Sequence, residues 1–164
     1  MSMTEAYEKS LIRFHKKLRI VPVPLICWDL IDTSKTDISI FNMIQRNWKE
    51  KVDYHQVVDI SNREIIITNK NFEIIFATRN IVNLNGYHPS EIIGKSPKIF
   101  QGELTSEASK VKIREAIQKK LPFKETILNY KKDNSTYFCE IEAFPKYNKK
   151  GEFINYVAFE RFAS

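Results

Sequence analysis

Gly86-Tyr87-His88-Pro89-Ser90-Glu91-Ile92-Ile93-Gly94-Lys95-Ser96-Pro97-Lys98-Ile99-Phe100-Gln101-Gly102 is the run of the chain richest in backbone punctuation, with three of its four glycines. Glycine enters left-handed conformations without a Cβ penalty, so glycines this closely spaced mark turns between very short helices. Pro89 pre-sets φ for a first helical turn, and Glu91 sits where a carboxylate favours the free N–H groups of a helix start. Ile92, Ile93, Ile99 and Phe100 are the apolar residues that pin such turns to a core. A compact helical connection of this kind either walls a small-molecule pocket or packs as a plain connector, and both readings fit these residues.

The pattern around it defines the fold class. Upstream, Ile65-Ile66-Ile67-Thr68 and Ile74-Ile75-Phe76-Ala77 are β-branched runs. Asn69-Lys70-Asn71 joins them and predicts a hairpin whose asparagines tolerate φ > 0. Ile81 to Leu84 predicts a short helix. Downstream, Thr105 or Ser106 caps a helix over 107–119, with Ala108, Val111, Ala116 and Ile117 inward, and Leu121-Pro122 ends it. Strands follow over 123–131, 136–144 and 153–162, turning at Asp133-Asn134 and Lys149-Lys150-Gly151. The expected architecture is α+β: a five-stranded antiparallel sheet with short helices on one face.

Residues 1–61 read as a helical extension ahead of a domain spanning 62–164. Over 5–20, Tyr7, Leu11, Phe14 and Leu18 make a narrow apolar seam opposite Glu8, Arg13, Lys16 and Lys17. Val21-Pro22-Val23-Pro24 ends that helix. The apolar stretch 25–31 is compatible with a strand or a buried loop. A second helix is predicted over 38–57, its apolar face formed by Ile40, Phe41, Ile44, Trp48 and Val52.

Composition excludes several classes. Two cysteines, Cys27 and Cys139, supply neither a disulfide framework nor zinc-ligand spacing. The N-terminus lacks a signal-peptide layout, and the apolar stretch from Val21 to Trp28 is too short and proline-broken to span a bilayer. A soluble cytoplasmic protein with no membrane partner is expected. The net charge of +6 divides into +1 over residues 1–60 and +5 over 61–164. Its lysine pairs are scattered over helix ends and turns, which argues against a nucleic-acid surface. No nucleophile elbow, phosphate loop, paired-carboxylate motif or His/Cys cluster occurs, so neither an enzyme nor a metal site is expected.

Several motifs resemble one family. Gly86-Tyr87-(x)3-Glu91-(x)2-Gly94-Lys95 resembles the GYxxxEhhGk signature of PAS domains. Gly94 to Gly102 resembles the flavin-binding GRNCRFLQG segment of their light-oxygen-voltage (LOV) branch, and Asn129-Tyr130-Lys131-Lys132-Asp133 resembles its NYRKDG element. Gly151-Glu152-Phe153 to Phe159-Glu160-Arg161 resembles its terminal strand, and the resemblance runs from Asn62 to Phe162. It implies a PAS fold and a pocket lined by Ser96, Lys98, Gln101, Asn129, Cys139 and Glu160. The photoactive cysteine of that branch corresponds to Pro97, which has no nucleophile. Gln101 and Asn129 match the family; Ser96, Lys98, Cys139 and Glu160 replace an asparagine, an arginine, an asparagine and a glutamine. Lys98 loses the bidentate fork, and a thiol is a poor hydrogen-bonding group. The substitutions therefore point to no resident cofactor, with FMN as the alternative. Cys139 reads as a small core residue, and His15 and His88 as surface residues. Glu160 either pairs with Lys98 or reaches solvent at the strand end.

The resemblance also places Leu128, Tyr130, Phe138, Phe144, Val157 and Phe159 on the outer sheet face, too much contiguous apolar surface to leave wet. The N-terminal helical extension, or a second subunit, is expected to pack there. The functional expectation is a stand-alone cytoplasmic PAS module in signal transduction, a homodimer that contacts an unidentified signalling protein. Tyr7, Leu11, Phe14, Leu18, Val157 and Phe159 are its candidate interaction surface. The alternative is a small-ligand sensor that uses the PAS pocket.

Overall fold

Ile65, Ile66 and Ile67 are consecutive and all buried, which requires packed structure on both faces of the strand that carries them. The computed structural model describes residues 33–164, with side chains from residue 37 onward. The expected helix over 5–20, the seam Tyr7, Leu11, Phe14 and Leu18, and Cys27 lie outside the described residues.

The described chain begins with α1 (Thr33–Ile44), a 3₁₀ turn (Gln45–Asn47) and a π-helical turn (Gln56–Ile60). The hairpin β1 (Glu64–Thr68) and β2 (Ile74–Ala77) comes next. Then follow α2 (Ile81–Asn85), α3 (Pro89–Ile92), a second 3₁₀ turn (Pro97–Phe100) and α4 (Glu107–Gln118). Strands β3 (Phe123–Tyr130), β4 (Thr136–Tyr147) and β5 (Phe153–Phe162) complete an antiparallel sheet of order β2-β1-β5-β4-β3. The last strand thus sits at the centre, paired with both β1 and β4.

The two faces bury separate cores. On the inner face, Ile66, Ile74, Ile81, Ile92, Phe100 and Ile127 pack together beneath the short helices. On the outer face, Ile65, Ile67, Phe76 and Val157 pack against Phe41, Trp48 and Val57 of the extension. The expected covering of the outer face is therefore made by residues preceding β1. Trp48 anchors it. Its ring packs edge-on against Phe41, and its Nε1–H donates to Asn155 Oδ1 at 2.8 Å. Asn155 Nδ2 in turn donates to Thr68 O at 3.0 Å, and the Lys49 N–H donates to Tyr147 O at 2.8 Å.

Several local expectations are corrected. The helix predicted over 38–57 stops at Ile44. Ile40, Phe41, Ile44, Trp48 and Val52 all reach one core, but beyond Ile44 they do so along a folded-back path, with Trp48 extended (ψ 138°) and bridged to Asn148. In the β1–β2 turn the residue at positive φ is Phe72, at 59°, not an asparagine. Asn69 uses its side chain instead, accepting from the N–H groups of Asn71 and Glu73. In α4, Ala108 and Val111 face solvent, while Ser109 is buried and Ile113, Ala116 and Ile117 are partly so. Ser109 Oγ donates to Glu125 Oε1 at 3.0 Å, turning this edge of the helix toward the sheet. Val157 is fully buried and Phe159 packs against the same outer core, so the extension covers the face at these two candidate interaction residues. Phe144 joins this outer core, and beside it the outer face carries ion pairs. Arg63 donates to Glu142 and Glu140 at 2.6 and 2.7 Å, and Arg161 Nε donates to Glu140 at 3.0 Å. Beside this network Phe138 remains 59% exposed.

Trp48→Ala removes the largest side chain of the outer core and should cost about 3–5 kcal/mol in urea-induced unfolding. Trp48→Phe should recover only part of this, because Asn155 Oδ1 then lacks its donor, a loss of about 1–3 kcal/mol. An unchanged midpoint for Trp48→Ala would show that the extension contributes nothing to cooperative folding.

Candidate functional site

The punctuated segment 86–102 is built as a clamped wall. Gly86 closes α2 at φ 79°, its N–H donating to Val82 O. His88 caps α3, with Pro89 in the first turn. The Glu91 carboxylate accepts from the His88 N–H at 2.8 Å and from Lys132 Nζ at 2.5 Å; the Lys132 bond first, then that N–H, hold its carboxyl below the usual range. The Lys132 N–H donates to Asn85 O, which ties α2 to the β3–β4 turn. The Gly94 N–H donates to Ile74 O and the Ile74 N–H to Lys95 O, which pins the same segment to β2. At Gly102 the Tyr130 ring lies where a side chain would begin, 2.5 Å from an added Cβ. Tyr130 OH accepts from the Leu104 N–H at 3.0 Å, fixing that close approach.

Beneath the wall lies a cavity of about 90 Å³ between α4 and the inner sheet face. Ile66, Phe100, Ile113, Ile141 and Tyr156 make it apolar, while Thr68, Gln101, Asn129 and Glu160 supply polar groups. Tyr156 OH donates toward Leu121 O at 2.9 Å, with Ala116 O at 3.2 Å, so β5 is tied to the end of α4. Burial pushes its hydroxyl up to about 12.

Of the six expected pocket residues, the structure brings Gln101, Asn129 and Glu160 together in this cavity. Ser96 and Lys98 do not line it. In a 3₁₀ turn, residues three apart share a face, so Pro97 and Phe100 point inward; Ser96 caps the turn and Lys98 is exposed. The expected pairing of Lys98 with Glu160 is not made. Cys139 is fully buried in the inner core and does not line the cavity. Burial first, and then the neighbouring Glu160, push its thiol far up.

Glu160 is only 4% exposed, so it does not reach solvent at the strand end either. Its one hydrogen-bonding neighbour among the described residues is Cys139 Sγ, 3.8 Å from Oε2. Burial pushes its carboxyl up to about 7, opposed by the thiol contact and reinforced by Glu64. Glu64 stands directly opposite it on β1 and is itself raised, chiefly by burial, although it accepts from Thr78 Oγ1. Glu64 and Thr68 were not singled out from sequence. Nothing local marks them, because the first strand of the domain pairs with the last.

The cavity is small beside ordinary ligand sites. Ligand cavities begin at about 300 Å³, whereas about 90 Å³ holds roughly three waters. Where the resemblance places a glutamine at the flavin edge, the chain presents a buried carboxyl without a cation.

A family model described as PAS domain matches residues 62–161. The chain belongs to the PAS domain family. Among curated PAS relatives, Protein TWIN LOV 1 of Arabidopsis thaliana is 34% identical over 88 residues, covering 53% of this chain and 22% of that protein. A blue-light-activated histidine kinase of Brucella abortus is 27% identical over 108 residues, covering 64% and 22%. The chain thus spans about a fifth of the length of these two relatives. Among solved structures, the dark-state Aureochrome1 LOV domain superposes with a TM-score of 0.62 at 28% identity, covering 70% of this chain and 87% of that one. The LOV domain of an Erythrobacter litoralis blue-light activated histidine kinase gives 0.58 at 20% identity, covering 62% and 96%; at that identity the likeness is one of fold. The LOV-like branch is thus supported by both relatives and structures. No helix among the described residues is long and apolar enough to cross a membrane, and none of their His, Cys, Asp and Glu side chains form a metal-holding group of three or more.

A carboxyl raised by burial favours the protonated native state, so its contribution is complete below the unfolded value near 4.5 and is lost as pH rises through about 7. Stability in urea should therefore fall across that interval. Glu160→Gln should flatten the fall without abolishing it, because Glu64 and Asp37 are raised in the same direction. An unaltered pH profile in the variant would remove Glu160 from this role.

Proposed function

We propose that the chain is a PAS sensory module that passes its signal through protein contacts and does not carry out LOV-type flavin–cysteine photochemistry. The observation that carries this reading is Pro97. It stands in the cavity wall at the position where the resemblance places the photoactive cysteine, and proline offers no thiol. The one described cysteine, Cys139, is sealed in the inner core. The small cavity and the unmatched polar set support the same conclusion for the cofactor: none is resident, with FMN as the alternative to be tested. The names of the relatives, which speak of blue light and LOV domains, are what makes that test necessary.

Within this proposal, residues 1–61 are an extension and 62–164 the sensory body, working in the cytoplasm as a homodimer that engages a signalling protein. The Tyr7, Leu11, Phe14 and Leu18 seam is its candidate dimer contact. Phe138, exposed beside the outer-face ion network, is the candidate sheet contact in place of Val157. A second reading, a small-ligand sensor, is favoured by one feature: Glu160, a buried carboxyl on a cavity wall with only a thiol for company.

The purified chain should show no flavin band in its visible absorption spectrum and no spectral change on blue irradiation. A flavin band that bleaches under blue light would overturn the proposal. Leu11→Glu combined with Phe14→Glu should halve the mass measured by light scattering. A mass unchanged by that substitution would overturn the dimer seam.

A further inference from the structure

Glu160 lines a second space as well as the inner cavity. On its other side is a cleft of about 320 Å³, bounded by Glu64, Asn80, Asn83, Leu84 and Phe162, with Ser61 and Asn62 at its margin. The cleft is several times the size of the inner cavity and falls within the range of small-molecule sites. Glu64 and Glu160 are cross-strand partners, so their side chains leave the sheet on the same face. Neither enters an ion pair among the described residues. Among the described residues Glu64 accepts from the Thr78 hydroxyl, and the side-chain neighbour of the Glu160 carboxyl is the Cys139 thiol beside Oε2.

Two neighbouring carboxyls at a cavity wall cannot ionise together cheaply without a cation, and a cation placed against them would remove that cost. The other charged groups nearby do not supply that cation. Arg161 borders the cleft, but its guanidinium is held by Glu140 at 3.0 Å. Lys131 Nζ lies over the rings of Phe162 and Tyr137, at 5.0 and 5.7 Å, and pairs with neither carboxyl. Asp37 adds negative charge beyond Glu64; its Oδ2 accepts from the Arg79 N–H at 2.8 Å, the Arg79 charge acts on it, and its buried Oδ1 has no partner among the described residues. The remaining walls are neutral. Leu84 and Phe162 are apolar, and the Asn80 and Asn83 amides can each present a carbonyl acceptor.

We propose that this cleft binds a small organic ammonium ion, with Glu160 and Glu64 as counter-ions and Leu84 and Phe162 against its carbon body. A bare metal ion fits less well. No group of three metal-capable side chains occurs among the described residues, and the space is about tenfold a water's share of liquid volume. A neutral apolar ligand would leave the carboxyls as they are. An ammonium on a hydrocarbon stem satisfies both kinds of wall. The site supplies an input for the ligand-sensor reading and rests on it in that respect alone.

The test is a titration of butylammonium chloride into the full chain, followed by NMR and calorimetry, with butanol and sodium butyrate as neutral and charge-reversed controls. Saturable shifts at the amides of Asn83, Glu160 and Phe162 with butylammonium, and with neither control, are expected. Binding should tighten as pH rises through about 7, where Glu160 loses its proton, and weaken with salt. Glu160→Gln should weaken it about tenfold, the loss of one charge-assisted contact. Glu64→Gln, which leaves Glu160 in place, should weaken it independently. Equal binding of butanol, no saturable shift with butylammonium above pH 7, or unchanged affinity in both variants would each overturn the site. The controls need only the unmutated chain, so a variant that fails to fold does not decide the matter. Absence of ammonium binding leaves the protein-contact proposal standing, whereas a photobleaching flavin overturns that proposal and says nothing of the cleft.

Discussion

Burial of β1 and β5 on both faces is the constraint from which the other features of the described structure follow. A strand with Ile65, Ile66 and Ile67 in succession cannot turn one side to water. The helices between β2 and β3 cover Ile66, and the segment before β1 covers Ile65 and Ile67. Without that preceding segment, Ile65, Ile67, Phe76 and Val157 would form one exposed apolar surface. Trp48 secures the arrangement because it supplies a large apolar body and also a donor for Asn155. It satisfies a polar group in the core that it closes.

The inner face has a different logic. Its lining is apolar except at Thr68 on β1, Asn129 on β3, Glu160 on β5 and Gln101 of the wall. The segment 86–102 is locked over it by backbone bonds to β2, by the Lys132–Glu91 contact and by the Tyr130–Gly102 approach. Those ties give the wall a fixed shape, and the chemistry of the space is left to the few polar residues of the sheet. Within that set the carboxyl at Glu160 stands apart, because burial holds it near neutrality of charge while its neighbours are uncharged or acidic.

The strands, the short helices and the covered outer face were legible because each has a local signature: β-branched runs, glycines and prolines at turns, and apolar residues in excess of one core. The errors have separate physical sources. The periodicity of Ile40, Phe41, Ile44, Trp48 and Val52 records that they share one destination, which a broken path satisfies as well as a helix does. Lys98 and Ser96 were placed in the pocket by resemblance, but the 3₁₀ turn directs Pro97 and Phe100 inward in their stead. The facing of Glu64 and Glu160 was not legible, since it depends on a pairing between β1 and β5, far apart in sequence.

Along β5 the side chains alternate between the two cores: Val157 and Phe159 lie under the extension, while Ala158 and Glu160 face the cavity. The cores are separated by the thickness of one pleat and joined by consecutive peptide units. A strand in this position works as a partition, held by its ladders to β1 and β4. The surface under the extension and the wall of the cavity are thus two sides of one run of backbone.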